Sequence, residues 1–100
     1  MPDWIYNEIK LSHASDSKMD ALEKFLEEGE EGLFDFLRPV EREQRWEAWG
    51  TSWEADVENW ERDGDIIVVE FKSAWDEPRS LYDYLQGEGW DVKVVWTQAE

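Results

Sequence analysis

Residues 61–73 read ERDGDIIVVEFKS. Asp-Gly readily takes the positive φ that tight hairpins need, so Glu61-Arg62-Asp63-Gly64-Asp65 reads as a turn between two strands. Ile66 to Ser73 then has the strongest strand character in the chain. Its continuous Ile-Ile-Val-Val implies burial on both faces at one end, and therefore a central strand. Ala55 to Trp60 reads as the strand before the turn. After it, Asp76-Glu77-Pro78 opens a helix, with acids at its positive N-terminus. Leu81, Tyr84 and Leu85 mark one face of that helix, Gly87 and Gly89 end it, and Asp91 to Thr97 (DVKVVWT) reads as the last strand.

The N-terminal half supplies the matching elements. Ile5, Ile9 and Leu11 alternate with Tyr6, Glu8 and Lys10, a period of two that predicts a first strand from Trp4 to Ser12. Ser17 is the expected N-cap of a helix, with Asp20 three residues on. Met19, Leu22, Phe25 and Leu26 form its apolar face, and Gly29 ends it. Leu33 to Leu37 is expected to be a short extended segment, which Pro39 stops. Glu41 to Trp49 is expected to form one or two helical turns before Gly50. The order is β-α-(short β or helix)-β-β-α-β. It predicts an α+β, ferredoxin-like βαββαβ domain over residues 1–100, an antiparallel sheet with two helices on one face.

Composition narrows the function classes. One hundred residues form one domain, able to bury roughly two thirds of its unfolded surface. Apolar content of 41% argues against disorder despite 36% charged residues. Eight tryptophans supply large apolar area from few positions. Ten basic against 26 acidic residues leave a net charge of −16. That charge opposes direct binding to nucleic acid or an anionic membrane, both of which rest on Lys and Arg. It suits a protein partner with a basic surface. The chain has no cysteine, no signal-peptide pattern and no apolar run near the length of a membrane span, so the host cytoplasm is the expected compartment.

Three blocks resemble a known family. MPDWIYNEIKLS looks like the N-terminal MPNWxxNxxxxxG of the YubB-type ferredoxin-like domains. Trp49-Gly50-Thr51-Ser52-Trp53 resembles their NWGTKW segment, and Phe71 to Pro78, FKSAWDEP, their FxTAWxPP. The blocks occur in the family's order and span most of the chain. Such proteins are carried mainly by phages, plasmids and integrated elements. The resemblance implies a ferredoxin-like fold without iron and sulfur, and no particular activity. Asp3 stands where Asn is usual and Ser52 where Lys is usual, which deepens the acidity.

The tryptophans of these blocks admit two readings. Trp49 and Trp53 line a binding notch closed by Gly50, or Gly50 permits a sharp reversal that packs both indoles on the sheet end. Thr51 or Ser52 would then bond the local backbone. Trp75 is expected to cover the end of the core; stacking beside Trp49 or Trp53 is the alternative.

The carboxylates carry the functional expectation. Asp56, Glu58 and Trp60 are expected on one side of a strand, and Glu61, Asp63 and Asp65 continue into the hairpin. Glu27, Glu28, Glu30 and Glu31 form a second cluster. Alternate residues on a strand lie about 6.5–7 Å apart, near the phosphate spacing of one nucleic-acid strand. The expected function is therefore an acidic accessory protein of a phage or mobile element that docks on a basic surface of a host or defence protein and blocks it, with the carboxylate rows imitating DNA phosphates as one form of that docking and Trp60 as aromatic anchor. A structural role through self-association, using the open sheet face or an edge strand, is the alternative, and a homodimer fits it. Single-stranded nucleic acid stacked on Trp4, Tyr6 and Trp96 is a third reading, opposed by the acidic surroundings. On the fourth strand Val92, Val94 and Trp96 are expected opposite Lys93, Val95 and Thr97. Catalysis, cofactors and metals are not expected: His13 is the only histidine, and no nucleotide-binding glycine motif is present.

Overall fold

The computed structural model describes residues 3–29 and 31–99. Four strands and four short helices build an α+β fold from them. In chain order these are β1 (Trp4–His13), α1 (Asp16–Glu27), α2 (Leu33–Leu37), a 3-10 turn (Arg42–Gln44), α3 (Arg45–Trp49), β2 (Asp56–Asp63), β3 (Ile66–Ala74), α4 (Arg79–Gly87) and β4 (Trp90–Ala99). The sheet order is β2-β3-β1-β4, and every neighbouring pair is antiparallel.

The hairpin forms at Gly64-Asp65, where Gly64 takes φ 60° and Asp63 pairs with Ile66. The strand after it is central, as expected, but for a different reason. Ile67 and Val69 are fully buried while Ile66 is 40% exposed. The Ile-Ile-Val-Val run therefore alternates between a covered face and an open one.

The covered face holds the core. Ile9 and Leu11 of β1 and Ile67, Val69 and Phe71 of β3 meet Met19, Leu22 and Leu26 of α1 and Leu81, Tyr82 and Leu85 of α4. Ser15, not Ser17, caps α1, its hydroxyl accepting the Lys18 N–H at 3.4 Å. Leu33–Leu37 is helical where an extended segment was expected. The cause lies twenty residues downstream. The Glu54 carboxylate accepts the N–H groups of Phe34 at 2.7 Å and Asp35 at 2.9 Å, supplying the cap that the local sequence lacks. The segment from Leu33 to Trp49 packs on the same face as α1 and α4. Phe34 lies edge-on to Trp49 at 5.5 Å and to Phe71 at 5.6 Å. Among the described residues, none forms a layer on the other face of the sheet.

No helix among the described residues is long and apolar enough to cross a membrane.

Candidate functional site

The three motif blocks converge at one end of the sheet. Trp49 is fully buried, and its indole N–H donates to the Arg38 carbonyl at 3.0 Å. Gly50 follows at φ 88°, and a Cβ there would sit 3.2 Å from the Arg79 nitrogen. Only glycine meets both demands. Thr51 is buried, and its hydroxyl donates to the Ala74 carbonyl at 2.8 Å. Trp49 to Thr51 thus belong to the fold, in line with the reversal.

Trp53 and Trp75 do not. They are 45% and 44% exposed, with ring centroids 5.1 Å apart, and Trp53 also lies 6.1 Å from Trp4. Trp75 lies edge-on to Trp53 and does not close the core, so the expected core packing is corrected in favour of the alternative neighbour. It has φ 66°, the one positive φ outside glycine among the described residues. The Asp76 N–H donates to the Ala74 carbonyl at 2.8 Å across it, a three-residue turn of the strained hand. The Trp75 N–H, donating to the Asp3 carbonyl at 2.7 Å, holds that turn against β1.

The expected row Asp56, Glu58, Trp60 is broken by a bulge. Val57 pairs with Phe71, but Asn59 pairs with Glu70 and Trp60 with Val69. Glu58 is the extra residue. Trp60 consequently turns to the covered side and packs, half-buried, against the core, while Asp56 stays on the open side. Nor are those two acids free. Lys72 lies 3.5 Å from Asp56 and 3.2 Å from Glu58, with its ammonium over the Trp4 and Tyr6 rings at 5.6 and 5.9 Å. The hydrogen bond to Glu58 raises its pKa above the usual lysine range. Glu61 pairs with Val68 and Asp63 with Ile66 on the open face, and Asp65 lies in the turn. Among the described residues these three form no salt bridge.

A bulge also corrects β4. Ile9 pairs with Val94 but Glu8 with Trp96, so Val95 is the extra residue. Trp96 joins Lys93 on the open face, with Trp4 and Tyr6. Val92, Val94 and Thr97 lie on the covered side. On that open face Glu8 sits directly opposite Glu70. Their hydrogen bond, desolvation and mutual repulsion raise the Glu70 pKa above the usual glutamate range. Carboxylates thus interrupt the Trp4, Tyr6, Trp96 surface, which is unlike a stacking platform for bases.

Tertiary structure brings Glu31 of the second acidic cluster beside Asp56 and Glu58 of the first. A groove of about 730 Å³ runs along the outer edge of β2. Glu31, Gly32, Asp56 and Glu58 line it, together with Trp4 and Trp60. Glu27 and Glu28 are exposed on the last turn and cap of α1, with Glu28 3.9 Å from Lys24. Glu30 lies outside the described residues. Glu54 also lines the groove, but its carboxylate is held by backbone N–H groups. Sequence reasoning missed Glu8, Glu70 and Lys72 as neighbours of the acids. Their even phase against Ile5, Ile9 and Phe71 was readable, but the strand register that pairs them was not.

His13 closes β1. Its Nδ1 accepts the Ser15 N–H at 2.9 Å, which leaves Nε2–H to donate to the Glu88 carbonyl at 3.0 Å. Among the described residues no group of three or more His, Cys, Asp or Glu side chains is arranged to hold a metal ion.

The chain matches no protein-family model, no curated protein and no solved structure.

Proposed function

We propose that this chain is a protein-binding domain of ferredoxin-like βαββαβ type, related to the YubB-type proteins of mobile elements. It takes a basic segment of a host or defence protein into the groove along β2 and thereby blocks that protein. Two features support the fold assignment. The chain passes from β1 to β2 and from β3 to β4, each time skipping one strand of the order β2-β3-β1-β4, as a split βαβ arrangement requires. The contacts among Trp4, Thr51, Trp53 and Trp75 bring the three motif blocks into one neighbourhood.

The groove carries the binding reading. Acids from two segments more than twenty residues apart in sequence, Glu31 and the pair Asp56 and Glu58, line it together, with aromatic rings at hand. A guanidinium or ammonium entering there meets the Glu31 carboxylate, shares Asp56 and Glu58 with Lys72, and finds an indole beside it. The unpaired outer edge of β2 offers backbone groups to an extended segment. Phosphate mimicry, in contrast, needs a regular row of acids. The bulge at Glu58 leaves only Glu61 and Asp63 in alternate positions on the open face. The domain therefore recognises basic side chains one at a time.

Titration with an arginine-rich peptide at low salt tests this, read by calorimetry. The triple variant Glu31→Gln, Asp56→Asn, Glu58→Gln is expected to weaken binding tenfold or more, about 1.4 kcal/mol or beyond. The variant Glu41→Gln, Glu43→Gln, Glu47→Gln changes net charge equally at exposed positions away from the groove and is expected to change affinity far less. Equal losses would show that bulk charge, not the groove, binds the peptide. Added salt is expected to weaken binding throughout.

A further inference from the structure

We propose that β4 is the surface through which two copies of this chain join, edge to edge and antiparallel, into one continuous sheet. Among the described residues β4 ends the sheet order and pairs only with β1, so one side of its backbone has no described strand beside it. All seven residues from Lys93 to Ala99 are exposed, and Val94, Val95 and Trp96 are each 41% exposed in succession. Consecutive apolar residues on an exposed edge strand are the pattern that proteins ordinarily avoid or cover.

Charge selects the occupant. Val92 to Ala99 is the longest stretch of the chain without a carboxylate, and Lys93 is its one charged residue. In a molecule of net charge −16, this is where a second copy approaches with least repulsion. The opposite edge cannot serve. β2 presents Asp56, Glu58, Glu61 and Asp63, and pairing it with itself would align carboxylates. Self-pairing of β4 about an axis between Val94 and Val95 places Lys93 beside Trp96 of the second copy and Val92 beside Thr97, like faces together and the two Lys93 side chains apart. Such an interface is isologous and closes at two chains. The bulge at Val95 keeps the paired stretch short, so the dimer forms reversibly with concentration.

Sedimentation of the full chain over a range of concentrations tests the proposal. The mass is expected to double with concentration, and added salt is expected to favour the dimer by screening the two net charges. Peptide binding in the groove responds to salt in the opposite sense, so either proposal can fail without the other. Val95→Glu is expected to weaken association tenfold or more. Trp46→Glu adds the same charge at a residue 59% exposed elsewhere and is expected to leave association unchanged. The chain has no cysteine, so single cysteines at Val94, Val95, Trp96 and Thr97 give a second readout. Oxidation is expected to trap a dimer at one position near the axis and little at the others. A chain that stays monomeric at high concentration and salt overturns the proposal. So does a dimer that Val95→Glu leaves intact, or one trapped equally well at every position.

Discussion

On the covered face of the sheet, Ile9, Leu11, Ile67, Val69 and Phe71 have almost no contact with water. One residue along the same strands, Glu8, Lys10, Val68, Glu70 and Lys72 are only half-buried. The backbone is shared, yet the two faces answer to different forces. Shape governs the first, because displaced apolar atoms leave cavities that a packed interior cannot refill. Charge governs the second, where Glu8 faces Glu70 and Lys72 bridges Asp56 and Glu58. Substitutions on the covered face should therefore cost stability, and those on the open face should mainly change binding and pH response.

Trp49→Ala gives the sharpest test of the covered side. It empties a fully buried site and leaves the Arg38 carbonyl without its donor. A loss of about 3–5 kcal/mol is expected in urea unfolding. Gly50→Ala comes next. Left-handed backbone costs about 1–2 kcal/mol for an L-residue, and the new Cβ also crowds the Arg79 nitrogen. Gly64→Ala is the control. It has φ 60° but nothing within 4 Å, so it should lose only the backbone contribution. Equal losses at Gly50 and Gly64 would remove the packing role given to Gly50.

Tyr82→Phe tests the one buried hydroxyl without a partner among the described residues. Removing an unsatisfied buried group is expected to raise stability by about 1 kcal/mol. Burial also holds the Tyr82 phenol well above its ordinary pKa, so the fold favours the neutral form. Stability is therefore lost as pH rises beyond the ordinary tyrosine value, and the alkaline loss should shrink in Tyr82→Phe.

Glu70→Gln has the smallest expected effect and probes the open face. The Glu70 pKa is raised, chiefly by the hydrogen bond with Glu8, so the folded state holds a proton that the unfolded chain releases. Its contribution is present at pH below the ordinary glutamate value and is lost as pH rises through the folded one. Glu70→Gln should thus melt slightly higher than the parent at neutral pH, and the advantage should vanish in acid. A melting change as large as that of Trp49→Ala would break the division between the faces.

Much of this architecture was legible in the chain. Period-two alternation located β1, the Asp-Gly turn located the hairpin, and apolar spacing located α1 and α4. These signals are local, since each depends on residues within a few positions of one another. Leu33–Leu37 was misread because its cap is Glu54, a tertiary contact. Trp60 was assigned to the wrong face, and Val92 and Val94 were grouped with Trp96 instead of opposite it, because a bulge interrupts each strand. One extra residue inverts every side chain that follows it.

The sequence by itself determined the element order, the central strand and the excess of carboxylates. Patterning and composition are properties of neighbouring residues and of totals, and both can be counted along the chain. Only the tertiary structure decided that Glu31 shares a groove with Asp56 and Glu58, that Lys72 occupies part of the acidic face, and that β4 is left as an apolar edge. Those outcomes depend on strand register and long-range closure, which bring together residues that no local pattern relates.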